Sequence, residues 1–151
     1  MSYGEILSTF LIDLQSIFRK KVKIKNASFQ QIIALATIPS KGIEMTPLAK
    51  KIGIDNSTAT RLVKRLEDNG WVNRVVSSHD KRVTVVRLTN AGSNVQKDID
   101  KQCEKIGEMI EKSVNRIDRQ AVHDSIQSLH WVLIKMDLFF IQISIVKKGE
   151  K

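Results

Sequence analysis

Residues 45–76 read MTPLAKKIGIDNSTATRLVKRLEDNGWVNRVV, and two helices with a tight turn between them are written into this stretch. Thr46 is a good N-cap, and Pro47 would then take the first helical position, where a missing N–H costs nothing. Gly53 closes this short helix. Asp55 can cap the next one, which runs to about Asn69 and stops at Gly70. Ile54, Ala59, Leu62, Val63 and Leu66 form its packing face, and the small Ala49 lets the first helix come close. Two short helices joined by a Gly-containing turn signal a helix-turn-helix.

After Gly70 the apolar period changes from helical to two. Val72, Arg74 and Val76 alternate with Trp71, Asn73 and Val75. A polar turn over residues 77–81 leads into a second β-rich run, residues 82–88. Two such runs around a polar tip read as a hairpin. A hairpin directly behind a helix-turn-helix makes a wing.

Outward from this block the pattern is helical on both sides. Ile6, Leu7, Phe10, Leu11, Leu14, Ile17 and Phe18 give one apolar face to a helix over about residues 3–20. Ser28 is the expected N-cap of a second helix carrying Ile32, Ile33 and Leu35, ended by Pro39 and Gly42. Beyond the hairpin, Thr89 or Asn90 caps a long helix with apolar positions Val95, Ile99, Cys103, Ile106, Ile110, Val114 and Ile117. Asp118 caps a last one, with Val122, Ile126, Leu129, Leu133, Met136, Phe140 and Ile143 in a seam, and Val132, Phe139 and Val146 alongside. Seams of this length exceed what a domain of about 65 residues can cover. They must pack on each other, on the first helix, or on a second subunit. The expected fold is mainly α with a small β-hairpin wing. A winged helix-turn-helix occupies residues 28–92, and residues 1–20 and 93–148 form a discontinuous helical region.

The chain has 151 residues and a net charge of +9, and the charge is unevenly placed. Residues 19–92 hold 15 basic and 5 acidic residues, whereas residues 93–146 hold 7 and 8. A basic block of this kind calls for a polyanion, and nucleic acid is the first choice. A solvated lysine-rich surface accounts for charge alone, and an anionic membrane surface is a further option, although the block is not one amphipathic basic helix. No run of 18 apolar residues occurs; the richest stretch, residues 131–146, is broken by Lys135, Asp137, Gln142 and Ser144. A membrane-spanning helix and a secretory leader are therefore not expected, and the expected compartment is the cytoplasm.

In a helix-turn-helix the second helix lies in the DNA major groove, its N-terminal residues at the base edges. Here that helix offers Asn56, Ser57, Thr58, Thr60, Arg61, Lys64 and Arg65. Asn can pair bidentately with adenine and Arg with guanine, while Ser and Thr serve base or phosphate. At the hairpin tip, Lys81 and Arg82 follow Asp80. A guanidinium there can enter a narrow minor groove, with Asp80 orienting it or bracing Arg74 across the hairpin. A plain surface Arg–Asp pair fits the same positions.

Residues 48–74, LAKKIGIDNSTATRLVKRLEDNGWVNR, and 77–92, SSHDKRVTVVRLTNAG, resemble the MarR family of winged-helix transcriptional regulators. That family has a D-x-R wing signature, here Asp80 and Arg82, followed by L-T-x-x-G, here Leu88, Thr89 and Gly92. The resemblance implies a homodimer paired through the N-terminal and the two C-terminal helices. It implies a recognition helix presenting Asn56, Ser57, Thr58, Thr60, Arg61 and Lys64 to the major groove of double-stranded DNA. Arg82, partnered by Asp80 and neighboured by Lys81, would go to the minor groove. Many members are repressors released by small aromatic or phenolic ligands. That ligand site has no fixed motif, so no effector residues carry over.

Two rival readings share the fold: a non-specific or architectural DNA-binding protein, and a winged helix used for protein contacts. Catalysis is not expected, since no nucleophile elbow, phosphate loop or HExxH pattern occurs. One cysteine, Cys103, excludes an intrachain disulfide and a Cys-rich zinc site, and it reads as core on its apolar face. His79, His123 and His130 are not spaced as a metal site, and no cofactor is expected. Trp71 and Trp131 read as packing residues. Asp98, Glu104, Glu108 and Glu111 read as a solvated helix face.

Overall fold

A computed structural model describes the backbone of residues 1–149 and the side chains of residues 1–137. Its elements run α1 (Tyr3–Lys21), α2 (Phe29–Thr37), β1 (Ile43–Glu44), α3 (Met45–Ile52), α4 (Asn56–Asp68), β2 (Val72–Val76), β3 (Thr84–Leu88), α5 (Asn90–Ser113) and α6 (Arg119–Gly149). The architecture is mostly helical with a small antiparallel sheet, as the sequence pattern predicts.

The helix starts follow the local chemistry. Ser2 and Ser28 each accept from the backbone N–H three residues on, and Glu5 and Gln31 reach back to close capping boxes. Asp55 caps α4 through Thr58 N–H. Gly53 ends α3 in the left-handed region at φ 72°, a conformation a side chain resists.

Four details differ from the sequence reading. First, α3 is capped at Glu44 rather than Thr46, and Glu44 makes no side-chain cap bond. Ile43 and Glu44 pair with Val86 and Val85, so the chain leaves a strand and enters the helix at once. Pro47 still falls in the first turn, where N–H groups have no helical partner. Second, this two-residue strand makes the sheet three-stranded, in the order β1-β3-β2; two residues are too few to show a period. Third, β3 starts at Thr84, because Arg82 and Val83 are folded into the tip by bonds to the Asp80 side chain and carbonyl. Fourth, α5 ends at Ser113. The chain turns over residues 115–118, where Asp118 N–H bonds Asn115 O, and Ile117 is left 93 % exposed.

The chain divides into two compact units, Met1–Ile106 and Gly107–Lys151. In the first, Val22, Leu35, Ile38, Leu48, Val63, Leu66, Val72, Val86, Ile99 and Ile106 make a closed core. Gln96 latches α5 to the end of α2 by donating to the carbonyls of Leu35 (2.7 Å) and Ile38 (2.9 Å). Gln102 does the same for the connector before α2, accepting from Lys23 N–H at 2.8 Å and donating to its carbonyl at 3.1 Å. On α1, Ile6, Leu7, Phe10, Leu11 and Ile17 remain exposed. In the second unit, Ile126, Trp131, Val132, Leu133 and Met136 are exposed along α6. The seam positions Phe139, Phe140, Ile143 and Val146 lie outside the residues whose side chains are described. No helix among the described residues is long and apolar enough to cross a membrane.

Candidate nucleic-acid interface

The helical period divides α4 cleanly. Ala59, Leu62, Val63 and Leu66 are buried, while Asn56, Ser57, Thr60, Arg61 and Lys64 are exposed. Thr58 is half-buried. The first turn is organised around Asp55. Its carboxylate accepts from the hydroxyls of Ser57 and Thr58, both at 2.6 Å, and from Thr58 N–H at 2.8 Å. These three donors hold the acid well below the usual carboxylate range. The Ser57 and Thr58 hydroxyl protons are thus committed to Asp55. Thr58 Oγ1 takes a long contact from Arg61 Nη2 at 3.4 Å. Thr60 Oγ1 donates to the Asn56 carbonyl at 2.8 Å. Lys64 pairs with Asp68 one turn on.

The hairpin stands beside this helix. Its register sets Val72 opposite Leu88, Arg74 opposite Val86 and Val76 opposite Thr84. At the tip, Asp80 accepts from Arg82 N–H at 2.9 Å, from Nε at 3.2 Å and from Nη2 at 3.4 Å. The backbone bond, then the guanidinium, lowers the Asp80 pKa. The Arg82 side chain is nonetheless 91 % exposed, and Lys81 beside it is exposed too. Of the two roles open to Asp80 on sequence grounds, the structure adopts the pairing with Arg82.

Arg74 goes elsewhere. It donates Nε (3.0 Å) and Nη2 (2.7 Å) to Glu67 Oε2, joining the last turn of α4 to β2, and this bonding lowers the Glu67 pKa. Sequence reading missed this pair; the seven-residue spacing across a turn matches neither helical nor strand periodicity. Between α4, the start of α3 and the wing lies a cleft of about 290 Å³, lined by Glu44, Thr46, Thr60, Arg74, Arg82 and Thr84 among others.

Other singled-out residues take ordinary places. Cys103 packs against the core; burial, then Asp100 and Glu104, push its thiol pKa up, which disfavours the reactive thiolate. Trp71 packs there as well. Trp131 does not pack as expected: it is 59 % exposed, with Lys135 Nζ 5.5 Å from its ring centre. Asp98, Glu104, Glu108 and Glu111 are exposed. No group of His, Cys, Asp and Glu suited to a metal occurs among the described residues. The elbow between α5 and α6 holds a groove of about 530 Å³ lined by Ile110, Val114, Arg119, Val122, His123 and Ile126 among others.

Comparison with known proteins gives a consistent picture. A model of the MarR family matches residues 31–84. The chain is 33 % identical over 82 residues to YdgJ, an HTH-type transcriptional regulator of Bacillus subtilis, covering 54 % of this chain and 50 % of that one. It is 29 % identical over 91 residues to the HTH-type transcriptional regulator SarZ of Staphylococcus haemolyticus, covering 60 % of each. The chain thus spans about half the length of these curated relatives. Among solved structures, Streptococcus pneumoniae FabT in complex with DNA superposes with a TM-score of 0.73 at 18 % identity, over 88 % of this chain and 96 % of that one. At that identity the likeness is one of fold.

Proposed function

We propose that this chain, which carries a MarR-family domain across residues 31–84, is a sequence-specific DNA-binding transcriptional regulator. It works as a homodimer on a pseudo-palindromic site and acts as a repressor. Its task is binding and not catalysis. One observation carries the proposal: α4 shows an unbroken polar face of Asn56, Ser57, Thr60, Arg61 and Lys64 beside a protruding tip whose Arg82 side chain is almost wholly exposed. That pairing is what a reader of one major groove and the adjoining minor groove requires. The DNA complex of the similarly folded FabT supports it.

The two recognition helices of a dimer must be about 34 Å apart to enter successive major grooves. A small aromatic or phenolic ligand that prefers another spacing releases the DNA by its differential affinity for the two states. The exposed apolar faces of α1 and α6 are the surfaces that the homodimer uses.

Selection of bound sequences from random DNA tests the proposal. The expected result is a two-fold symmetric site bound at least about 10³ times more tightly than random DNA. A site-independent affinity would instead identify a non-specific architectural protein, and no affinity at low salt a protein-contact module. Titration of the DNA complex with phenolic acids tests the release step.

A further inference from the structure

A hydroxyl group has one proton to give and two lone pairs to offer. Where the proton goes decides what the group can still recognise. In the first turn of α4 Asp55 makes that choice. Its Oδ1 accepts from the Ser57 hydroxyl and its Oδ2 from the Thr58 hydroxyl, both at 2.6 Å, and Thr58 N–H adds a bond to Oδ1 at 2.8 Å. These donors favour the ionised carboxylate, so the protons in both hydroxyl bonds belong to Ser57 and Thr58. Bonds to a charged acceptor are roughly twice as strong as neutral ones. An outside acceptor would have to draw the proton away from the carboxylate. Thr58 is half-buried, whereas Ser57 is exposed. Ser57 therefore meets a partner of α4 with lone pairs only.

Few groups on DNA answer to that. Phosphate oxygens accept and do not donate, and the same holds for N7 and O6 of guanine and O4 of thymine. The groups that donate in the major groove are the N6 amino group of adenine and the N4 amino group of cytosine. The bond to Asp55 also makes the Ser57 oxygen a better acceptor, because linked hydrogen bonds polarise one another. We propose that Asp55 is a specificity-determining residue: by holding the Ser57 proton it makes Ser57 an acceptor only, which selects adenine or cytosine on the strand that Ser57 faces and bars Ser57 from serving as a phosphate anchor. Asp55 itself is a positioning residue, acting through Ser57. This assignment deepens the regulator reading above and rests on it.

The test uses the full chain and the DNA site obtained by selection. Each adenine is replaced in turn by purine and each cytosine by 2-pyrimidinone, analogues that lack the exocyclic amino group. In each half-site one such replacement should weaken wild-type binding roughly tenfold, the loss of about one hydrogen bond. Ser57→Ala should bind the replaced and unreplaced duplexes alike at that position, a cycle that cancels any effect of the analogue on the duplex itself. Asp55→Ser keeps an N-cap oxygen but releases the Ser57 proton, and it should take guanine or thymine there nearly as well as adenine or cytosine. A cap with a purely structural role would instead lower affinity for all four bases equally. Guanine or thymine at the position whose preference Ser57→Ala removes, equal sensitivity of the wild type and Ser57→Ala to every replacement, or an undiminished adenine or cytosine preference in Asp55→Ser would overturn the assignment while leaving the regulator reading intact. A wild-type chain that selects no sequence removes that reading and this assignment with it.

Discussion

Thr89 ties the two ends of the wing together: its hydroxyl donates to the Gly70 carbonyl at 2.6 Å and accepts from Gly92 N–H at 3.0 Å. One side chain thereby finishes the turn after α4 and starts α5. Thr89 N–H bonds the Trp71 carbonyl at 3.0 Å in addition. Gly92 is small for the same reason, since a Cβ there would lie 1.8 Å from the Trp71 carbonyl oxygen. The L-T-x-x-G signature is thus a joint between α4, the wing and α5.

Gly92→Ala should therefore destabilise the fold by at least about 1–3 kcal/mol, the usual range for overpacking a closed site. The clash is with main chain, which cannot rotate away. Chemical denaturation of the variant beside the wild type measures this. Thr89→Val should have a smaller effect of the same sign.

Gln96→Leu should cost about 1–3 kcal/mol. The side chain would keep its volume, but the carbonyls of Leu35 and Ile38 would lose their donor at the C-terminus of α2. Denaturation midpoints report the loss, and Gln96→Glu should be no better, because a carboxylate cannot donate.

Stability should fall in acid partly through Asp55. Its folded pKa lies below its unfolded one. The stabilisation is therefore complete above the ordinary carboxylate pKa and is lost as pH falls toward the folded value, from about pH 5 downward. Asp55→Asn retains a capping oxygen but has nothing to titrate. The thermal midpoint of the variant should fall less between pH 6 and pH 3 than that of the wild type. Parallel curves would show that the cap does not titrate with folding.

Arg82→Ala should weaken DNA binding roughly ten- to a hundredfold with no change in melting temperature, since its side chain is 91 % exposed and its ion pair with Asp80 is a surface one. Asp80→Asn should weaken binding less, by loosening the aim of the guanidinium. Equilibrium binding and thermal melting on the same preparations separate the two effects.

Light scattering at micromolar concentration should give about twice the 17.1 kDa chain mass. Leu7, Phe10 and Leu11 are exposed on α1, and Trp131, Val132 and Leu133 on α6. Leu11→Lys should shift the equilibrium toward the single chain and weaken binding to a two-fold symmetric site.

The helix-turn-helix was legible from residues 45–76 because its signals are local. An N-cap, a left-handed glycine and a 3.6-residue apolar period each act within one or two turns, so Asp55, Gly53 and the buried stripe of α4 read directly from the letters. The D-x-R tip was legible for the same reason: Asp80 and Arg82 are two residues apart and bond each other. Contacts between residues distant along the chain were not legible. The two-residue strand at Ile43 exists only because β3 offers an edge to pair with. Its pairing also moved the start of α3 from Thr46 to Glu44. For Arg74 the sequence offered only Asp80, across the hairpin, and packing of α4 against β2 gave it Glu67 instead. Alone, then, the letters determined the helices, the two strands of the hairpin and which face of α4 is polar, because short-range sterics and hydrogen bonding govern those choices. Only the tertiary structure decided the ion-pair partners, the Gln96 and Thr89 latches and the open cleft between helix and wing, since each depends on how separate elements meet in space.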